Sequence, residues 1–560
     1  MNKTIKRLII AFIIISLIKI LLTLLVPSPS MWSDEFFYAR SARGIFMDHS
    51  FSYDGIFTNN IPPLYSILIS PAYLFNDMNY VYFIIKFINA ILSSLIIFPS
   101  FLLVREFFKE KESFIIAITT GIIPPLFSTP AIILSENLFY PLFMLTIYFL
   151  YKSYLQRSIK FDILTGISLG LLYLTRNIAI IILPAIAFIS LINIIKKKRL
   201  ILEIKKKLML FITFLIIISP WLIRNMLHFG FSLNGLLGTY SNAISRVSGS
   251  YYSFGQFLLW ILPYFAAIIL GTGIIFGICA FISLRSKNEK IFNLGLITFF
   301  STLFFILIAA HHNATSSIMT FFIQGKVLIR YISPVIPLVL ITGFISLKDM
   351  EMKKIKLKKY LPYFIVSTFI LAAGSILLIF NLVPVNNSAI SYIGLFKYLL
   401  DLIFNNYLSF IISTILLISL PLLSFWIFKR FKIKSITKIF LIIFLLIGLT
   451  NYAMISYNSS KFWDSNEITE LGKWINNQNF KGTFLIDETG CTTRIQKRDI
   501  ENTLCDKSNH ASLLTFWINN PVKIGEINNL EEINYIITKQ KLKFTLLKET
   551  KNKIKLYRTP

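Results

Sequence analysis

The chain has 560 residues, of which 55% are hydrophobic and 15% aromatic. This composition excludes a soluble globular protein of the same length and indicates an integral membrane protein with several spans. The formal net charge of +29 would suit a nucleic-acid-binding protein, so the positions of the charges have to decide between the two classes.

Basic residues are concentrated in the short segments between apolar stretches. In chain order these segments are Arg105 to Lys111, Lys152 to Lys160, Lys196 to Lys207, Arg285 to Lys290, Lys348 to Lys359 and Lys429 to Lys438. Each segment follows an even-numbered span when the N-terminus is cytoplasmic, as the positive-inside rule requires. We therefore interpret the charges as determinants of topology in a multi-pass cell-membrane protein and expect no nucleic-acid partner.

The apolar stretches predict about 13 transmembrane helices, because a helix needs about 20 apolar residues to cross the bilayer. The predicted spans are 8–26, 80–104, 113–128, 133–151, 161–176, 177–195, 208–223, 257–284, 291–310, 331–347, 360–382, 404–428 and 438–457. The first span is expected to be retained rather than removed as a signal peptide. The sequence thus predicts a polytopic α-helical membrane domain, residues 1–457, with its N-terminus inside and its C-terminus outside.

The first outer loop, residues 27–79, contains a cluster of ionisable residues, and we interpret it as the catalytic loop. Residues 33–47 are predicted to form a surface helix, in which Asp34 and Glu35 point about 100° apart and cannot address the same atom. Residues 63–75 are apolar but too short to cross, so they are expected to lie in the interface or to re-enter.

Within the predicted helix, Asp34 shares a face with Tyr38 and Ser41. Glu35 lies two turns before Arg43 and can pair with it inside the loop. Asp34 is therefore the better candidate for a general base, and a helix cap is the alternative role for it.

Outer loops and outer helix ends also contain charged residues that are candidates for binding an anionic headgroup. They are Glu136, Arg176, Arg224, Arg246, Lys326 and Arg330. A charge at this depth costs several kcal/mol unless it is paired, hydrated or used, and arginine binds phosphate through two parallel hydrogen bonds. For each residue taken alone, a structural ion pair or a helix-end anchor is an equal alternative.

Several segments resemble class C glycosyltransferases that use polyprenyl-phosphate sugars, in particular the protein O-mannosyltransferase and lipid A aminoarabinose transferase branch. The resemblance covers roughly residues 1–345 and rests on WSDEFFYARSARGIF with the following PPLYSI, LSENL at 134–138, LTR at 174–176, PWLIRN at 220–225, and Arg330-Tyr331 with Pro334 and Pro337. These segments occur in the expected order.

The resemblance implies a GT-C fold and an inverting transfer of a sugar from a polyprenyl-phosphate carrier to a protein, lipid or glycan acceptor at the outer face. Asp34 matches the position of the catalytic carboxylate, with Glu35 beside it. Donor binding is assigned to Tyr38, Arg40, Glu136, Arg176, Arg224, Arg246, Lys326, Arg330 and Tyr331.

The chain departs from the lipid A branch immediately before its Pro-Pro pair. That branch has a glutamate and then a phosphate-binding lysine there, whereas this chain has Asn60 and Ile61. The carrier phosphate must therefore be bound by other cations, and Arg224 and Arg330 rank highest because both match motif positions.

The remaining motifs favour a lipid-linked donor over a nucleotide sugar. No Walker A motif, Gly-rich dinucleotide fingerprint or Asp-x-Asp pair is present in the sequence, and His311-His312 lacks the i, i+4 spacing of a metal-binding pair. The sequence predicts no metal site but leaves open whether a divalent metal takes part.

Two alternatives to a transferase remain open: a transporter or flippase of a lipid-linked glycan, and an inactive scaffold that presents the tail. A transporter is expected to carry its ionisable groups near mid-membrane, where Lys19, Lys86 and Asp401 are the candidates.

The tail, residues 458–560, is predicted to form a small extracytoplasmic α/β domain. The pattern indicates an amphipathic helix at 467–475, short strands at 483–486 and 535–538, and a hairpin at 544–557. Cys491 and Cys505 are predicted to form a disulfide, which would contribute about 3 kcal/mol in the chain-entropy model. Two free thiols are the alternative.

Overall fold

The computed structural model describes most of the chain. The described residues are 3–30, 33–53, 56–59, 61–156, 158–197, 200–232, 253–315, 319–320, 323–324, 327–352, 361–380, 388–430, 433–478, 480–487, 510–527, 530 and 532–560.

The described residues are mostly helical. The α-helices are α1 (Lys3–Thr23), α2 (Ser33–Met47), α3 (Leu64–Ile69), α4 (Met78–Ser94), α5 (Ile97–Arg105), α6 (Glu110–Gly121), α7 (Pro124–Ser128), α8 (Glu136–Gln156), α9 (Ile159–Thr175), α10 (Ile182–Lys197), α11 (Leu200–Phe229), α12 (Phe254–Gly271), α13 (Ile275–Ile282), α14 (Glu289–Ala314), α15 (Ile336–Met352), α16 (Leu361–Phe380), α17 (Ser391–Asp401), α18 (Asn406–Arg430), α19 (Ile433–Asn458), α20 (Glu467–Asn477) and α21 (His510–Trp517). Tighter turns of 3-10 helix occupy Ser70–Leu74, Thr129–Ala131, Asn177–Ile181, Ser283–Arg285, Ile329–Tyr331 and Ser333–Val335, and a π-helical turn occupies Ser459–Asp464.

The strands form two small hairpins and one mixed sheet. They are β1 (Ser52–Tyr53), β2 (Ile56–Phe57), β3 (Met319–Thr320), β4 (Ile323–Gln324), β5 (Phe484–Asp487), β6 (Val522–Gly525), β7 (Tyr535–Thr538), β8 (Thr545–Glu549) and β9 (Lys555–Arg558). The mixed sheet has the order β6-β5-β7-β9-β8.

Every predicted span coincides with a helix or with two consecutive helices, which confirms the helical membrane fold. Among the described residues, nine helices are long and apolar enough to cross a bilayer, and the pair α6–α7, bent by 60°, is a tenth if it forms one span. Among the remaining predicted spans, α9 has 17 residues, and α1 has 21 residues but contains Lys6, Arg7 and Lys19. Within the predicted span 257–284, Gly273 and Ile274, both with positive φ, separate α12 from α13. The total of 13 and the orientation stay predictions.

The chain divides into two compact units. The membrane unit comprises Met1–Lys19, Ala90–Thr129 and Glu136–Ala453, and the loop–tail unit comprises Ile20–Asn89, Pro130–Ser135 and Met454–Pro560. The first outer loop therefore belongs to the same compact unit as the C-terminal tail.

The membrane unit is built by close packing of its helices. Helices α13 and α15 approach so closely that a Cβ atom at Gly343 would lie 2.1 Å from the carbonyl oxygen of Phe276. The rings of Phe276 and Phe344 stack at the same crossing, with centroids 4.1 Å apart. Contact of this kind between backbones needs a small residue, as is common where membrane helices pack.

The tail forms the small α/β domain that its sequence pattern predicts. Strand β5 lies between two parallel neighbours, β6 and β7, and β9 pairs antiparallel with both β7 and β8. The predicted helix, strands and hairpin correspond to α20, β5, β7 and β8–β9. Cys491 and Cys505 lie outside the described residues.

Candidate active site

Helix α2 provides the first set of candidate residues and has the predicted bounds. Its first turn contains Asp34 and Glu35, where the helix dipole favours negative charge. Near its other end, a Cβ atom at Gly44 would lie 2.3 Å from the carbonyl oxygen of Ser52. Glycine therefore allows the helix to lie directly against β1.

The two adjacent carboxylates have different surroundings. Glu35 is only 1% exposed, and its Oε1 accepts a hydrogen bond of 3.1 Å from the backbone N–H of Ile133. Asp34 is half-buried, so part of its side chain stays accessible. Glu35 thus forms a buried contact inside the loop–tail unit, whereas Asp34 is partly exposed.

Tyr38, one turn after Asp34, is part of a buried polar network. Its hydroxyl lies 2.7 Å from Oγ of Ser135, and its ring packs edge-on against Tyr65 with centroids 4.9 Å apart. The Tyr65 hydroxyl donates a 2.8 Å hydrogen bond to Oδ1 of Asn89. These contacts fix the rotation of α2 about its axis.

Arg40 and Arg43 lie further along α2 and bind the tail. Nη1 of Arg40 donates a 2.9 Å hydrogen bond to the carbonyl oxygen of Thr515, and Nη2 of Arg43 donates to the carbonyl oxygen of Asn519. Burial lowers the pKa of both guanidinium groups, and the charge of Arg43 lowers that of Arg40 further. Both arginines therefore link the first outer loop to the tail.

The second set of candidates lies in the membrane unit around Glu136, the first residue of α8. Glu136 is 1% exposed. Its Oε1 accepts hydrogen bonds from Nη1 of Arg176 at 2.5 Å and from Nε of Arg330 at 3.0 Å. Arg176 immediately follows α9, and Arg330 lies in the 3-10 turn Ile329–Tyr331. We call Glu136, Arg176 and Arg330 the arginine cluster.

The arginine cluster brings two guanidinium groups to one carboxylate. The Arg330 side chain is 14% exposed. Charges at such low exposure are retained when they are paired or used, and guanidinium groups bind phosphate through parallel hydrogen bonds, so this cluster is a candidate anion site.

Aromatic residues surround the arginine cluster. The Arg176 guanidinium lies 6.0 Å from the ring centroid of Tyr331, and the ring of His312 lies 5.0 Å from the same Tyr331 ring. Three predicted binding residues, Arg176, Arg330 and Tyr331, are therefore brought together with Glu136.

The other predicted residues are placed differently. Nη1 of Arg224 donates a 2.9 Å hydrogen bond to Oδ1 of Asn225, and its guanidinium lies 4.8 Å from the ring centroid of Trp221, so these contacts lie along its own helix. Arg246 and Lys326 lie outside the described residues. In the described part of the chain, no group of three or more His, Cys, Asp or Glu side chains could hold a metal ion.

Sequence analysis missed two residues of these surroundings. Ser135 contacts Tyr38, and its place in the motif LSENL was the available signal. The ring of His312 packs on Tyr331. The sequence offered the His311-His312 pair as a possible metal-binding motif, and an aromatic contact of His312 was not predicted.

Comparison with known proteins adds a family match. Residues 60–223 match the family described as dolichyl-phosphate-mannose-protein mannosyltransferase. No curated protein sequence matches the chain significantly.

The fold is shared with solved membrane enzymes. ArnT from Cupriavidus metallidurans bound to undecaprenyl phosphate is similar with a TM-score of 0.55 at 13% identity, over 93% of this chain and 86% of that chain. Its apo state gives a TM-score of 0.54 at 14% identity, over 92% and 85% of the two chains. The family match over residues 60–223 and the shared fold together make the chain similar to class C glycosyltransferases of the type that uses polyprenyl-phosphate sugars.

Proposed function

We propose that the protein transfers a sugar from a polyprenyl-phosphate carrier to a hydroxyl group of a protein, lipid or glycan acceptor at the outer membrane face. The observation that carries this proposal is the convergence of Arg176 and Arg330 on the buried Glu136, because guanidinium groups suit a lipid-linked phosphate. ArnT, which has a similar fold, has been solved with undecaprenyl phosphate, and this supports the same class of carrier.

Asp34 is the proposed general base. As the acceptor hydroxyl attacks the anomeric carbon, its proton passes to the Asp34 carboxylate, and the bond from the anomeric carbon to the phosphate oxygen breaks. The electron pair of that bond leaves with the carrier phosphate. A carboxylate within hydrogen-bond reach of the hydroxyl speeds such a step by about 10²- to 10⁴-fold. One displacement of this kind inverts the anomeric configuration.

The arginine cluster is proposed to bind the carrier phosphate. The phosphate gains negative charge as the sugar leaves, so fixed cations stabilise the transition state more than the ground state. Ile61, at the position where the lipid A branch has a lysine, is buried and brings no charge. Arg176 and Arg330, held in place by Glu136, can take over this role.

Replacement of Asp34 tests the base. The protein in lipid nanodiscs is supplied with undecaprenyl-phosphate mannose, the sugar named by the matching family, and with a peptide that contains serine and threonine as acceptor hydroxyls, and release of undecaprenyl phosphate is measured. We expect Asp34→Asn to reduce the rate at least about a hundredfold while undecaprenyl phosphate still binds, because the change keeps the shape and removes the proton acceptor.

Glu35→Gln is the matched control, since an amide oxygen can still accept the hydrogen bond from the N–H of Ile133. We expect this variant to keep most of the activity. Near wild-type turnover of Asp34→Asn would remove Asp34 from the mechanism, and product with a retained anomeric configuration would exclude a single displacement.

A further inference from the structure

A cavity of about 480 Å³ lies in the membrane unit, away from the residues assigned above. It is lined by the beginning of α6, the end of α15 and the beginning of α19. All three of these helix ends lie on the face that the positive-inside rule predicts to be cytoplasmic. A volume of this size is within the range of sites for small ligands.

The rim of this cavity is strongly basic. Lys109, Lys111, Lys348 and Lys438 line it, and Glu112 is the acidic residue of the lining. Nζ of Lys348 lies 2.8 Å from Oε1 of Glu112, so this lysine is neutralised. Lys109, Lys111 and Lys438, all exposed, then leave three positive charges around one opening.

The inner part of the same cavity is apolar. Ile116 and Phe344 are buried in its wall, and Ile115, which is 38% exposed, lines the same cavity. A ligand that fits both parts needs an anionic group at one end and a hydrocarbon segment at the other.

We propose that this cavity binds an anionic phospholipid of the cytoplasmic leaflet, with the phosphate among the three lysines and the beginning of an acyl chain against Ile115 and Ile116. Basic pockets between membrane helices on the cytoplasmic side bind anionic headgroups in this way. The positive-inside rule requires the lysines to lie on one side of the membrane, but it does not require the start of α6, with Lys109 and Lys111, and the start of α19, with Lys438, to border the same apolar cavity.

Binding of phosphatidylglycerol and of phosphatidylcholine to the full-length protein in detergent micelles tests the proposal, with bound lipid counted by native mass spectrometry. The variant Lys109→Gln/Lys438→Gln removes two of the three charges. Each lysine near an anionic headgroup contributes about 1 kcal/mol, so we expect phosphatidylglycerol to bind roughly tenfold to thirtyfold more weakly. Phosphatidylcholine is expected to bind weakly to every variant.

Lys160→Gln/Lys290→Gln is the matched control, because it removes the same charge from exposed lysines on the same predicted face. This control is expected to bind phosphatidylglycerol like the unaltered protein. Ile115→Trp keeps every charge and fills the apolar part, so it is also expected to weaken binding.

Three results would each overturn the proposal. Equal losses in the two double-lysine variants would mean a diffuse surface charge rather than a site. Displacement of phosphatidylglycerol by inorganic phosphate alone would mean a simple anion site, and equal binding of phosphatidylcholine would mean that charge is not recognised. Thermal unfolding of each variant, measured in parallel, separates lost binding from lost folding.

Discussion

Two carboxylates with different surroundings decide the assignment of roles at the level of single residues. Glu136 is enclosed and binds two arginines, whereas Asp34 at the start of α2 stays partly accessible. Glu136 therefore holds the two arginines in place, and Asp34 is the residue that we propose for proton transfer.

The role of Arg330 can be tested by a change that keeps its charge. Arg330→Lys should lose activity, because an ammonium cannot reproduce the planar group that binds Glu136 through Nε and a phosphate through its other N–H groups. Charge-assisted hydrogen bonds contribute about 1.5 to 3 kcal/mol each, so Arg176→Ala and Arg330→Ala should each lower kcat/KM roughly tenfold to hundredfold. The measurement is release of undecaprenyl phosphate.

Arg105→Lys and Arg105→Ala are suitable controls, since Arg105 forms an exposed pair with Glu110 and lies on the predicted cytoplasmic face. If the arginine-cluster variants matched these controls, the phosphate would have to be bound by Arg224, Arg246 or Lys326. Arg224→Ala in the same assay would then be informative.

The sequence identifies each residue of the arginine cluster as a candidate, but it does not show that the three residues contact one another. Arg330 and Glu136 are separated by 194 positions, and no local pattern carries information about a pair at that distance. Glu35 illustrates the same limit: helical spacing allowed a pair with Arg43, whereas the structure joins Glu35 to Ile133 and Arg43 to Asn519.

At the level of elements, α2 attaches the first outer loop, of which it is part, to the tail. Its far end is bound to the tail by Arg40 and Arg43, and its middle is bound to Ser135 by Tyr38. Arg40 was assigned to donor binding from the family resemblance; its buried hydrogen bond to Thr515 gives it a positioning role in this structure.

Replacement of Arg40 tests that link. Arg40→Ala removes a buried charged donor and leaves the Thr515 carbonyl without its partner, which should cost about 2 to 3 kcal/mol of stability. We expect a lower thermal midpoint and faster proteolysis of the tail in limited digestion. Arg558→Ala, a change at an exposed arginine of β9, should leave both unchanged, and equal stability of the two variants would contradict the positioning role.

The elements that the sequence predicts well are those with a strong local pattern. Helix α2, strand β7 and the β8–β9 hairpin follow the pattern closely. Strand β6 and helix α21 were not predicted. The four residues of β6 include a lysine and a glycine, whereas those of β7 form a continuous buried run, and α21 has just eight residues. The conformation of a strand such as β6 depends on its neighbours in the sheet more than on its own residues.

At the level of the whole molecule, the topology prediction can be tested by labelling intact cells. Lys551→Cys places a thiol on an exposed turn of the tail, in a background where Cys491 and Cys505 are replaced by serine. If the tail is extracytoplasmic, a membrane-impermeant thiol reagent should label this cysteine without permeabilisation. Lys290→Cys, on the predicted cytoplasmic face, should be labelled only after the cells are permeabilised. The reverse pattern would mean that the predicted topology is inverted.

The link between α2 and the tail has a consequence for how the sequence can change during evolution. Arg40 and Arg43 recognise main-chain oxygens of residues 515 and 519, and every amino acid supplies such an oxygen. Substitutions at these two positions can therefore accumulate without loss of the anchor, as long as the new side chains fit. An insertion or deletion between them would shift one carbonyl away from its arginine. Selection on this attachment is thus expected to act on the length of the segment, whereas the identities of Phe516, Trp517 and Ile518 between the two anchor points are constrained separately by their burial.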